Sequence, residues 1–169
     1  MKKFILIILF VGLLFKGCST LMSQGWKSSI PDDIELGRIL ASTTDWLGSP
    51  GGGCGGAIIV LKKSTALEIQ SQGLAFFQGL SQPPHWKNKS ISWTKGASDN
   101  RGRISFQCVI ESSRKEKFFK QELEQILGSR TGYYGVISGG SKTRVLISTE
   151  KRLVFVGYWD WITNFLKAG

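Results

Sequence analysis

A single histidine in 169 residues, His85, leaves little material for imidazole chemistry. A histidine-based triad or metal site would have to be built on it. It follows Pro83 and Pro84 and precedes Trp86, where a solvent-facing loop histidine is the ordinary reading. The three cysteines, Cys18, Cys54 and Cys108, include no CxxC spacing, so neither a zinc site nor a redox pair has support, and no metal or cofactor is expected. Twelve acidic residues face 22 lysines and arginines, and no carboxylate pair stands out for glycoside cleavage. The longest apolar run stops far short of the roughly 20 residues that cross a bilayer. Nothing in the chain argues positively for an enzyme.

Two glycine-rich stretches fail for want of context. Gly51, Gly53 and Gly56 carry the letters of a dinucleotide-binding turn, which needs a strand before it and a helix after it. Here a strand follows. Gly135, Gly140, Lys142 and Thr143 approach a phosphate loop, but Ser141 separates glycine from lysine and the segment reads as a hairpin turn.

What the chain does have begins at its N-terminus. Lys2 and Lys3 precede an apolar run from Phe4 to Phe15, the charge-then-apolar layout of an export signal. Gly17 and Cys18 follow, and this segment resembles the signal of bacterial lipoproteins, in which a small residue precedes the cysteine that receives diacylglycerol. Phe15 and Lys16 stand where that pattern favours a leucine and a small residue. The resemblance implies a lipid, palmitate included, on Cys18, and a protein anchored to a membrane of the cell envelope, outside the cytoplasm. Cleavage after Ser19 and an uncleaved signal-anchor are the other outcomes of the same segment; each leaves the domain outside the cytoplasm.

With Cys18 lipidated, Cys54 and Cys108 remain as an even pair in an oxidising compartment, where a disulfide persists. Two buried free thiols are the alternative. Beyond the signal, 19 basic and 12 acidic residues leave a net charge of +7, which favours anionic neighbours. An apolar fraction of 41 % places the rest among folded chains, with room for one domain.

The expected organisation is a signal over 1–17, a Ser-rich tether over 18–31 and a single α+β domain over 32–169. Ile34, Leu36, Ile39, Leu40 and Leu47 are spaced for an N-terminal helix, and the five glycines between Ser49 and Gly56 for a loop. Ala57 to Leu61 reads as a strand, Thr65 to Leu80 as a helix ended before Pro83, and Ile91 to Thr94 as a half-exposed strand. Arg103 to Glu111 alternates like a strand with one buried side. Ser113 and Glu116 have capping-box spacing before a helix closed by Gly128. Tyr133–Ile137, Arg144–Ser148 and Leu153–Tyr158 read as strands, with a last helix capped by Asp160 and the aromatics around it packed on the sheet. The order from Ala57 is β-α-β-β-α-β, a ferredoxin-like sandwich with an N-terminal helix and a C-terminal β-hairpin extension. Such a sheet sets its first and third strands side by side, with Cys54 near Cys108.

One stretch carries a candidate surface. Trp86, Lys87, Lys89, Trp93, Lys95, Arg101 and Arg103 interleave aromatics with cations, a combination suited to an anionic envelope polymer. An ordinary hairpin with solvated lysines and core tryptophans is the competing reading. Nucleic acid is the least expected ligand, since the envelope holds little of it. The functions that follow are a non-catalytic envelope lipoprotein binding a protein or an anionic polymer, an exported hydrolase with a site assembled near His85, or an accessory part of a secretion, conjugation or phage-exclusion system, the last by fold analogy alone. Cys18→Ala is expected to abolish palmitate labelling and move the protein from the membrane pellet to the soluble envelope fraction; labelling that persists in this variant would remove the lipid reading.

Overall fold

The apolar run AIIVL does form a strand, and its two faces organise the molecule. Ala57, Ile59 and Leu61 point to one side and Ile58 to the other, all fully buried. A strand buried on both faces needs cover above and below. In a computed structural model, describing residues 25–44, 53–82, 90–96, 100–138 and 143–159, that cover is helical on each side. The chain runs through β1 (Leu36–Thr44), β2 (Cys54–Leu61), α1 (Lys63–Gln72), α2 (Leu74–Gln78) and β3 (Ser90–Lys95). It continues through α3 (Asn100–Glu111), α4 (Glu116–Ser129), β4 (Tyr133–Ser138), β5 (Thr143–Ser148) and β6 (Leu153–Trp159).

The six strands form one sheet of order β1-β2-β6-β5-β4-β3, with every neighbouring pair antiparallel. Trp26, Ile30, Ile34, α1 and α2 cover one face, where Ala66, Ile69, Phe76 and Phe77 meet Val145, Ile147, Val154 and Val156. α3 and α4 cover the other, where Phe106, Val109, Phe119, Leu123 and Ile126 meet Leu146, Leu153 and Phe155. The fold is mixed α+β, as expected, but its element order and sheet order are not ferredoxin-like.

Two misread elements account for the difference. Residues 103–111 are helix α3: Ser105, Phe106, Val109 and Ile110 are the buried set, a helical spacing that coexists with the alternation of Ile104, Phe106, Cys108 and Ile110. The N-terminal helix is instead strand β1. Its register against β2 slips between Leu36 and Ile39 and again between Ile39 and Ala41. Each bulge adds a residue, so a strand acquires the odd spacings that read as helical.

Smaller corrections follow. Cys54, Gly55 and Gly56, expected in a loop, open β2. The helix expected from Thr65 to Leu80 is divided at Gly73, whose φ of 63° no helix interior accepts. α4 passes Gly128 and ends at Arg130 in the left-handed region. The β5–β6 hairpin does not extend an edge but sits inside the sheet, β6 between β2 and β5. Trp26, Ile30 and Pro31, in the segment expected to be a tether, are buried, so among the described residues folded structure starts near Gly25. The expected C-terminal helix lies outside the described residues.

Cys54 and Cys108 are joined, with Cα atoms 6.2 Å apart, but across layers and not between neighbouring strands: α3 lies over β2 and β6. It seats there on bare backbone. A Cβ on Gly157 would collide with the Ser105 carbonyl oxygen, and one on Gly56 would stand 3.2 Å from the Val109 side chain. Arg144, buried in the same layer, donates from Nη1 to Ser105 Oγ at 2.9 Å.

Gly157→Ala is therefore expected to cost about 2–3 kcal/mol by overpacking. Gly128→Ala, where a Cβ meets nothing within 4 Å, is expected to gain about 0.5–1 kcal/mol from helix propensity. Opening the disulfide, which spans 54 residues, should cost about 4 kcal/mol in the chain-entropy account. Urea unfolding of each variant, and of the parent with and without reductant, measures all three.

Candidate functional site

β3 is short, alternating and at the end of the sheet. Ile91 and Trp93 turn toward the α1–α2 face, while Ser90, Ser92 and Thr94 are exposed on the other. Trp93 stands opposite Gly135 of β4, where a Cβ would come within 2.9 Å of the indole and 2.8 Å of Ile91. The missing side chain lets the ring lie on the backbone. Phe77 of α2 then stacks on it, 4.3 Å between centroids, and on Tyr133 at 4.9 Å, with Phe76 edge-on to Phe77 at 5.3 Å. Lys95 completes the group with its ammonium 5.9 Å from the Tyr133 ring centre, within cation–π range.

Beside this aromatic cluster opens a cavity of about 350 Å³. Leu74, Phe77, Leu80, Ile91 and Trp93 line it together with Pro31, and Gln78, Ser81 and Gln82 are its polar residues. Ser81 donates its amide to Asp33 Oδ2 at 2.8 Å, tying the chain after α2 to the N-terminal segment that Pro31 belongs to. The Trp93 indole Nε1 is shielded from solvent and has no hydrogen-bond partner among the described residues. Among the described residues no lining side chain is titratable. The arrangement can hold an apolar group and offer it the shielded Trp93 N–H as a donor.

The candidate polymer surface is divided. Trp93 and Lys95 are on β3, while Arg101 and Arg103 belong to α3, which packs on the opposite face of the sheet. Arg103 is paired with Glu124 at 2.7 Å, a half-exposed bridge of the kind worth about 0–1 kcal/mol. Trp86, Lys87, Lys89, His85 and Cys18 lie outside the described residues. Phe77, Leu80 and Pro31 were not singled out from the sequence. Phe76 and Phe77 ahead of the two prolines are a visible aromatic cue, but nothing local brings Pro31 to them.

No known protein family, no curated protein and no solved structure matches the chain.

Phe77→Ala, which empties a buried stack, is expected to lower stability by about 3–5 kcal/mol. Trp93→Phe should stay within about 1.5 kcal/mol of the parent, because the indole N–H has no bond to lose. Denaturant midpoints at constant slope provide the comparison.

Proposed function

We propose that the chain is a non-catalytic component of the cell envelope, held at a membrane by a lipid on Cys18, whose α+β domain binds another envelope protein. The observation that carries this reading is the cavity beside β3, whose described lining joins apolar and aromatic side chains to the shielded Trp93 donor and includes no titratable group. Such a site suits recognition and not bond-breaking. The Cys54–Cys108 link fits a domain working in an oxidising compartment.

A protein partner is favoured over an anionic polymer because the described cations of the candidate surface are not gathered. Lys95 lies over Tyr133 at one edge, and Arg103 is neutralised by Glu124 on the other face. A polymer contact would be dominated by screened charge and fade with salt. Immobilised disulfide-bonded protein, challenged separately with detergent-solubilised envelope proteins and with anionic wall or outer-membrane polymer, is expected to retain protein saturably at high salt and to release polymer. Salt-sensitive retention of polymer alone would overturn the choice of partner, and retention of neither would overturn the binding reading.

A further inference from the structure

Three large apolar side chains stand exposed among the described residues, and their surroundings differ. Leu74 lines the cavity beside β3. Leu67, 55 % exposed on α1, has Lys63 and Glu68 within a turn, charges that offset one another. Phe118, 50 % exposed in the first turn of α4, has Arg114, Lys115, Lys117 and Lys120 about it, all four exposed. The core does not require this ring, since Phe119 fills the buried position and meets Phe118 edge-on at 5.3 Å between centroids. Folding therefore leaves an aromatic half in water at the centre of a group of cations.

The acids of α4 do not neutralise that group. Glu122 is bridged to Lys151 at 3.2 Å and Glu124 to Arg103 at 2.7 Å, bases that belong to other elements. Glu116 opens the helix, where a carboxylate suits the positive end of the helix dipole, and leaves the stretch from Arg114 to Lys120 at a net +3. Among the described residues none of the four cations is in an ion pair. The chain on both sides of this turn is described without a break from 100 to 138. A Cβ on Gly132 would meet Ile126 at 2.8 Å, so the last turns of α4 lie beside the start of β4 and its first turn points away from there. From the half-exposed ring and the cations around it we infer that the first turn of α4 rests on an anionic bilayer surface, its cations among lipid phosphates and Phe118 at the acyl boundary. A linear polyanion would satisfy the cations but has no apolar phase for the ring; a bilayer offers both. α4 and the cavity are on opposite faces of the sheet, so this contact turns the cavity away from the lipid, where an envelope protein can reach it. One turn of helix attaches reversibly and orients the domain without holding it at the membrane alone.

The inference goes beyond the cavity and the lipid on Cys18 and requires neither, so the test is made on the full disulfide-bonded chain carrying Cys18→Ala. A photoreactive phenylalanine analogue is placed at position 118 or, for comparison, at position 67, and the chain is mixed with vesicles of phosphatidylcholine alone or with an equal part of phosphatidylglycerol. Position 118 is expected to form phospholipid adducts on the mixed vesicles and position 67 to form few, with the difference lost on phosphatidylcholine. With the analogue moved to Gln121, an exposed position one turn further on, Lys117→Gln together with Lys120→Gln should lower the adduct yield at limiting lipid roughly 25-fold, about fivefold for each charge. Lys117→Arg together with Lys120→Arg should keep the yield, and Phe118→Ser should lower it about fivefold by removing half a buried ring. All these side chains are exposed, so each variant should retain the parent's urea midpoint. Equal lipid adducts from positions 118 and 67, a yield indifferent to phosphatidylglycerol, or adducts from position 118 to polypeptide alone, whether another segment of this chain or a second protein in cells, would overturn the membrane contact. Absence of palmitate from Cys18 would remove the anchor, and failure of immobilised protein to retain a partner would remove the binding reading; neither alters the adducts at position 118, so the failures are separable.

Discussion

The seating of α3 is the constraint on which the rest of the molecule depends. A helix packed on a sheet normally rides on the side chains of both layers. α3 instead comes down on Gly56 and Gly157, adjacent partners in the β2–β6 ladder, with the Ser105 carbonyl over Gly157 and the Val109 side chain over Gly56. Two fastenings hold it there: the Cys54–Cys108 bond to the start of β2, and the hydrogen bond from Arg144 on β5 to Ser105. The second is a buried polar contact to a charged group, of a kind whose partner is costly to remove. Both glycines are thus required by what lies above them, and neither strand could carry a side chain at that point without lifting the helix.

A helix fixed over β2 and β6 cannot also cover β3. That leaves the serine and threonine face of β3 in water, which its polar alternation suits, and leaves the other face to α1 and α2. The break at Gly73 keeps α2 to five residues, enough to bring Phe77 onto Trp93 and Tyr133 but not to fill the space toward Pro31. The cavity is the remainder between a short helix, an edge strand and a returning N-terminal segment.

Much of this was legible in the sequence where a single periodicity acted alone. β2 from Ala57 onward, β3, β4, β5, β6 and α4 follow their apolar patterns within a residue or two. β1 was not legible, because its bulges put Leu36 and Ile39 on one face of the sheet and Leu40 and Ala41 on the other, the spacing of a helix. α3 was not, because Phe106 and Ile110 satisfy both periods and only the burial of Ser105 and Val109 decides between them. The pairing of Cys54 with Cys108 was reached through parity, although the neighbouring strands invoked for it are a helix on a strand. At the site, Trp93 and Lys95 stood out as an aromatic and a cation. The cavity did not, since Pro31, Phe77 and Trp93 meet only through the packing of the N-terminal segment, α1 and α2 on one face of the sheet, a contact with no local signature.

β6 is the last strand among the described residues and lies near the middle of the sheet, between β2 and β5. A ribosome delivers β1 with β2, and later β3 and β4 separated by two helices, as two paired halves with no seam between them. The joint is made only when the final hairpin arrives and slides in as a keystone. Without it Ile58 and Ile59 have no strand neighbour on one side. The sheet is continuous only with that hairpin in place.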